Sequence, residues 1–267
     1  MRDYSYDLIG DIVVFKFSED KKFSLVAKKK ISVRFLKGHK NVQGVFEKVG
    51  KISGRLRKQS LRFLAGEKDK ETVYSENGCR FKLDIEEVYF SPRLANHRKE
   101  VAEKISRKFK NGQKILVGFA GVAPFSIVIS KELQKKKKDF LVVSNEINRN
   151  ASKYAEENVV LNKVFDNVKV VQGDFKKLGE RLKGKKLPVK YDYIVMARPN
   201  LKDSFLKEAL GFAKKGTRFY YHGFGLREEV LEKIKADVGS RIKNIKISEA
   251  GEIAPYKHRW LVEFEGK

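Results

Sequence analysis

The chain has 267 residues, 41% hydrophobic and 11% aromatic with only 5 prolines, a composition that specifies a folded protein and leaves no room for long disordered linkers. No run approaches the roughly 18 apolar residues that span a bilayer, Asp3, Asp7 and Asp11 are unlike a secretory leader, and Cys79 has no second cysteine to pair with, so the expected setting is cytoplasmic, without membrane or disulfide. Lys and Arg number 59 against 34 acids; this charge of +25, not balanced by Glu as in many Lys-rich thermophile proteins, calls for a polyanionic partner such as nucleic acid, while four scattered histidines offer no metal-ligand spacing.

In chain order, DLIGDIVVFKF alternates apolar and polar residues and predicts a strand near 11–17; another is expected near 43–50, after a mixed basic stretch. Residues 1–66 hold 16 basic and 6 acidic side chains and read as a small basic α/β domain. The polar segment 67–78 ends in the turn signal Asn77-Gly78, and CRFKLDIEEVYFSP resumes as strands; residues 67–84 are taken as linker and first strand, and 85–267 as a larger domain. Beyond Pro92 the period changes, with Leu94, Val101, Ile105 and Phe109 at helical spacing. Strands at 114–118, 140–144, 167–171, 191–196 and 218–223 then alternate with helices over 124–134, 148–160, 201–214 and 226–237, before a strand pair near 243–248 and 258–264. Such alternation predicts right-handed crossovers and a mainly parallel, doubly wound sheet of the Rossmann type. The run Lys135–Lys138 reads as a solvated helix C-terminus.

In such a sheet the ligand lies beyond the carboxyl ends of the strands, where FAGVAPF (119–125) follows the first strand. Gly121 permits a tight turn, and Ala120 and Ala123 keep the floor open. Glu146, ending the next strand, would accept from two ribose hydroxyls or act as a helix N-terminal charge; Asp174, ending the third, would accept from an adenine amino group or cap a turn. A dinucleotide fingerprint would continue with glycines, whereas Val122, Ala123, Pro124 and Phe125 crowd a pyrophosphate, so S-adenosyl-L-methionine (SAM), which has no phosphate, fits better than NAD.

VYFSPRLANHR, FAGVAPFSIVISK, NEINRNASKYAEENVVLNKV and GEIAPYKHRWLVEF, in this order from GDIVVFKF and KVGKISGRLR onward, resemble the archaeal and eukaryotic tRNA guanine-37 N1-methyltransferase family over nearly the whole chain. The resemblance implies a class I SAM-dependent methyltransferase domain behind a small α/β RNA-side domain, acting on the purine 3′ of the anticodon and gripping the anticodon stem-loop region of tRNA. The additional domain with which many members contact the outer corner of tRNA is not expected in this chain. By position, Arg57 and Arg93 match arginines that hold the target base or its charge, and Arg98 follows on the same helix. Phe119, Ala120, Gly121, Val122, Pro124, Glu146, Ile147 and Asp174, together with Arg98, fall at cofactor positions. As residues alone, the three arginines read equally as phosphate clamps or solvated cations. Two departures stand out. His97 occupies the place where many members carry a Glu proposed as general base. Ala197, Arg198, Pro199 and Asn200 replace an Asn-x-Pro motif at the end of the fourth strand, a variant similar to an archaeal subgroup that includes enzymes methylating the wyosine precursor 4-demethylwyosine, a tricyclic base, at carbon 7, alone or in addition to guanosine N1.

Guanine N1 carries a proton, so a base must remove it as the methyl group transfers, and His97, with an ordinary pKa near 6.5, suits the role unless it is a plain surface residue in the helix's first turns. Carbon methylation would instead require an activated ring. Pro199 and Asn200 would read the base edge, and one of Tyr89, Phe90, Phe119, Phe125 or Tyr256 would stack on it, although Phe125 fits the core better. Aminocarboxypropyl transfer from SAM and a non-catalytic RNA-binding role are the other readings, and a monomer is expected.

Overall fold

Apolar-polar alternation builds the first unit, which in the computed structural model runs to Ala95 and is followed by a second unit from Asn96; the structure describes residues 4–18, 21–197, 203–254 and 257–267. Strands β1 (Tyr4–Ile9) and β2 (Ile12–Phe17) form an antiparallel hairpin whose turn needs Gly10 at φ +59°, where a Cβ would meet Thr72 Oγ1 at 2.0 Å. Helix α1 (Leu25–Gly38), capped by Ser24 Oγ accepting from the Ala27 N–H at 3.1 Å, crosses over to β3 (Gly44–Ser53), which pairs parallel to β2 and antiparallel to β4 (Lys58–Gly66). Val13, Phe15, Phe17 and Val45 on one sheet face pack against Ile31, Phe35 and Leu36 of α1.

Residues 67–84, expected as linker and first strand, form a second hairpin, β5 (Glu71–Glu76) and β6 (Cys79–Asp84), turning at Asn77 and Gly78, both at positive φ. Long-range polar contacts join it and the following segment to the first unit. Thr72 Oγ1 donates to Asp11 Oδ1 at 2.6 Å, and Glu86 accepts from the N–H groups of Gln59 (3.2 Å) and Leu61 (3.1 Å). The compact unit runs to Ala95 and so takes in this hairpin. Residues 85–91, expected to continue as strand, are irregular and lead into a 3₁₀ turn, Pro92–Leu94.

The second unit opens with α2 (Ala95–Lys108) and continues β7 (Gln113–Gly118), α3 (Pro124–Lys135), β8 (Phe140–Glu146), α4 (Arg149–Leu161), β9 (Val168–Gln172), α5 (Leu178–Gly184), β10 (Tyr191–Met196), α6 (Leu206–Gly211), β11 (Ala213–Gly225), α7 (Arg227–Val238), β12 (Ile242–Ala254) and β13 (Lys257–Gly266). Its seven strands lie in the order β12-β13-β11-β10-β7-β8-β9, parallel from β11 to β9, with β13 antiparallel to both of its neighbours. Leu116, Val143, Ile194 and Phe219 face a core built with Leu178, Leu182, Leu206, Ala209 and Ile234 from α5, α6 and α7. Contacts through the other face include Phe109 stacked on Tyr193 and Ser126 Oγ donating to Ser144 Oγ at 2.9 Å. The helix expected over 201–214 is described only at Leu206–Gly211, because β11 already starts at Ala213: Gly216 turns the chain at φ +80° and Thr217 Oγ1 donates to the Tyr191 carbonyl at 2.6 Å.

Candidate active site

Sheet register defines where a ligand can lie. Asn145, Gly118, Met196 and Tyr221 stand side by side across β8, β7, β10 and β11, so the next residues, Glu146, Phe119, Ala197 and His222, form the rim at the carboxyl ends. The chain leaves β7 toward β8 on one side and reaches β10 on the other, and the crevice of such a sheet opens at this reversal.

The loop after β7 is held by its own amides. Phe119, Gly121 and Ala123 all lie at positive φ (59°, 56° and 67°), a run that winds the backbone tightly before Pro124 starts α3. The Ala120 N–H donates to the Asn145 carbonyl (2.9 Å), the Ala123 N–H to the Ala120 carbonyl (2.9 Å) and the Gly121 N–H to Glu146 Oε2 (2.8 Å). Glu146 Oε1 accepts from the Asn148 N–H at 2.7 Å. Burial pushes the Glu146 carboxyl above its ordinary pKa, and the N–H groups of Asn148, Gly121 and Ile147 draw it back toward the ionised form. In a dinucleotide site such loop amides face the pyrophosphate. Here they are spent internally and a carboxylate stands among them, an arrangement that repels phosphate and suits a ribose diol and a cationic sulfonium. The donor set therefore fits SAM.

Around this tie, the Phe119 ring stacks on Phe175 with centroids 5.1 Å apart and meets Phe205 edge-on. Ala120 and Val122 are buried, and the Val122 carbonyl accepts from Asn158 Nδ2 at 3.2 Å. Pro124 is buried at the helix start, and the Ile147 carbonyl accepts from Gln172 Nε2 at 3.1 Å. Asp174 caps the 3₁₀ turn Phe175–Lys177, accepting from the Lys176 N–H at 3.0 Å. Phe125 is core, as its sequence context suggested.

His97 is not a surface residue. It is 7% exposed, its Nε2 lies 2.8 Å from His222 Nε2, and its Nδ1 faces Glu100 Oε2 at 3.7 Å. Burial lowers its pKa from 6.5 to about 4, against the pull of Glu100 and with a further push from Arg259. The neutral ring that fits this setting carries its proton on Nδ1, toward Glu100, and accepts from His222 at Nε2. Both nitrogens are thus engaged, and His97 can take a proton from a base only by releasing His222. A native pKa below the unfolded one makes the stability contribution full above about pH 6.5 and lost as pH falls through about 4. The advantage of wild type over His97→Gln is therefore expected to shrink by about 3 kcal/mol between pH 7 and pH 4. Urea unfolding of both proteins across that range checks it; a pH-independent difference would contradict the buried neutral ring.

Arg98 is 2% exposed, which removes the solvated reading for this arginine. Arg57 and Arg93 belong to the first unit. Arg57, at φ +57° in the turn between β3 and β4, lies over the Tyr89 ring (5.5 Å), and its buried Nε has no hydrogen-bond partner among the described residues. Arg93 is paired with Asp7, Nε and Nη2 donating to Oδ1 at 3.0 and 2.9 Å. Burial lowers the Lys48 pKa, Lys16, Arg57 and Arg93 lower it further and Asp7 opposes them, so these cations share one positive region. Phe90 packs against Tyr74 and Phe81. Pro199, Asn200 and Tyr256 lie outside the described residues. His222, which had no role in the sequence reading, emerges only from the pairing of β11; its one signal was a polar residue inside the apolar run RFYYHG.

The profile of the TRM5/TYW2 methyltransferase domain matches residues 72–248, and that of the TYW2 N-terminal domain residues 2–70. The chain belongs to the TRM5/TYW2 methyltransferase family. It is 38% identical over 83% of its length to the tRNA (guanine(37)-N(1))-methyltransferase Trm5b of Pyrococcus abyssi, of which it spans 60%. With the Nanoarchaeum equitans tRNA (guanine(37)-N(1))/4-demethylwyosine(37)-methyltransferase Taw22 it shares 33% identity over 96% of this chain and 97% of that one. The crystal structure of Trm5b from Pyrococcus abyssi superposes with a TM-score of 0.78 at 34% identity, covering 98% of this chain and 74% of that one. The TRM5/TYW2 chain thus has the class I SAM-dependent methyltransferase fold behind a small α/β unit.

Proposed function

We propose that this chain is a SAM-dependent tRNA methyltransferase acting on the purine at position 37, with N1 of guanosine as the acceptor. The observation that carries this reading is a family match along nearly the whole chain, joined to a strand-end loop whose Gly121 N–H is held by the Glu146 carboxylate. Glu146 would hold the ribose, Asp174 and Ile147 the adenine side, and Phe119 to Pro124 the floor. The cofactor, when bound, supplies a methyl group on a sulfonium sulfur.

Chemistry at guanine N1 forms a carbon–nitrogen bond, breaks the carbon–sulfur bond and releases the N1 proton. We place acceptance of that proton on His97 acting together with His222, since a buried neutral imidazole becomes available only as the His222 hydrogen bond opens. Arg57, whose Nε has no partner among the described residues and which lies over Tyr89, is suited to an anionic group of the RNA, and Arg93 would need to exchange Asp7 for phosphate. Pro199 and Asn200 are proposed at the base edge.

A second acceptor, carbon 7 of 4-demethylwyosine, is favoured by the dual name of the Nanoarchaeum relative and by the Arg198-Pro199-Asn200 sequence. Incubation with radiolabelled SAM and two transcripts, bearing guanosine or adenosine at position 37, is expected to give N1-methylguanosine in the first only. No label in either would remove unmodified guanosine as the substrate, and a tRNA carrying the wyosine precursor would then test the second acceptor.

A further inference from the structure

Helix α1 carries no acidic residue, and its outer stripe consists of Val26, Lys29, Lys30, Val33, Arg34 and Lys37, all exposed. The charge is uncompensated there. Lys28, on the inner side, pairs with Glu47, whereas among the described residues no carboxylate pairs with Lys29, Lys30, Arg34 or Lys37. Lys22 and Lys40, both exposed, flank the helix. Four like charges along about 12 Å of helix, at about 1.5 Å per residue, repel one another, and a folded surface keeps such a row at a cost unless a polyanion covers it.

We infer that this stripe is a docking surface for the phosphate backbone of a double-helical stem of the substrate RNA. The inference rests on the proposed tRNA substrate and deepens it. Three of the four cations are lysines, point charges that meet phosphate without reading sequence, and the stripe holds no aromatic side chain on which an unpaired base would stack. Val26 and Val33, 64% and 46% exposed, lie low between the cations and let a backbone approach closely. An acidic protein is disfavoured, because the stripe offers neither a large apolar anchor nor a bidentate arginine pair.

The test compares wild type, the variant Lys29→Gln, Lys30→Gln, Arg34→Gln, Lys37→Gln, and a charge-matched control, Lys108→Gln, Lys153→Gln, Lys207→Gln, Lys235→Gln, in tRNA binding across a salt series, backbone footprinting and steady-state methylation. The stripe variant is expected to bind about 10-fold or more weakly at physiological salt, with the slope of log affinity against log salt reduced by about 2 to 3. It is expected to lose protection of stem phosphates while keeping that of the anticodon loop, and to raise KM with kcat unchanged. Equal losses in the control would overturn the inference in favour of net charge alone. An unchanged KM and slope in the stripe variant, with wild type methylating normally, would overturn it while leaving the proposed function intact. Wild type that neither binds nor methylates tRNA would remove both.

Discussion

Glu146→Ala is expected to raise the dissociation constant for SAM by about 100-fold or more. The carboxylate receives the Gly121 and Asn148 N–H groups at 2.8 and 2.7 Å, and in the proposed site its remaining lone pairs accept from two ribose hydroxyls. Hydrogen bonds to an ionised acceptor contribute about 1.5–3 kcal/mol each, and 1.4 kcal/mol is tenfold in affinity, so losing contact to two ribose hydroxyls accounts for the factor before any loosening of the loop is counted. Glu146→Gln keeps the size and one acceptor oxygen but turns an NH₂ group toward a backbone donor, and is expected to fall between alanine and wild type. Titration calorimetry with SAM measures both, circular dichroism shows whether each is folded, and a folded Gln variant binding within threefold of wild type would refute the ribose role of Glu146.

Gly66→Ala is expected to destabilise the first unit by about 3 kcal/mol or more. Gly66 sits at φ +83°, opposite Gly44 in the β3–β4 register, and a Cβ there would lie 2.0 Å from the Gln43 carbonyl oxygen. That oxygen cannot move away freely, because it accepts the Glu67 N–H at 2.9 Å. The left-handed backbone alone costs an alanine about 1–2 kcal/mol, and a forced contact in a packed region typically adds about 1–3. Gly112, at φ +79° with open space where its Cβ would stand, isolates the first effect, and Gly112→Ala is expected to cost about 1–2 kcal/mol. Denaturant unfolding of the two variants separates the contributions; equal losses would show that the Gln43 carbonyl yields.

The strands that carry the cofactor loop were legible because their signal is local. A run such as KILVG or YDYIVM, bounded by glycine or polar residues, is buried on both faces and reads the same whatever its neighbours are. Helix α3 was equally plain from its proline start and apolar spacing. Less legible were β1, β4 and β5, half-exposed edge or hairpin strands in which polar and apolar side chains mix, so that composition hid them. Helix α1 reads as a mixed basic stretch because its inner stripe of Ile31, Phe35 and Leu36 is narrow and its outer stripe is cation and valine.

By itself, then, the sequence determined the alternation of elements, the glycine loop at the end of the first parallel strand, Glu146 one strand later, and the excess of positive charge, all properties written in neighbouring residues. Only the tertiary structure decided which groups those residues meet. Gly121 and Glu146 are 25 positions apart and His97 and His222 are 125 apart, and no periodicity encodes either pairing. The first turns a glycine turn into a loop tied to a carboxylate on the next strand. The second turns a candidate surface base into half of a buried imidazole pair whose pKa burial drives down to about 4. The reason is the same in both: hydrogen bonding and desolvation depend on which atoms share a neighbourhood, and strand order, not sequence distance, sets that.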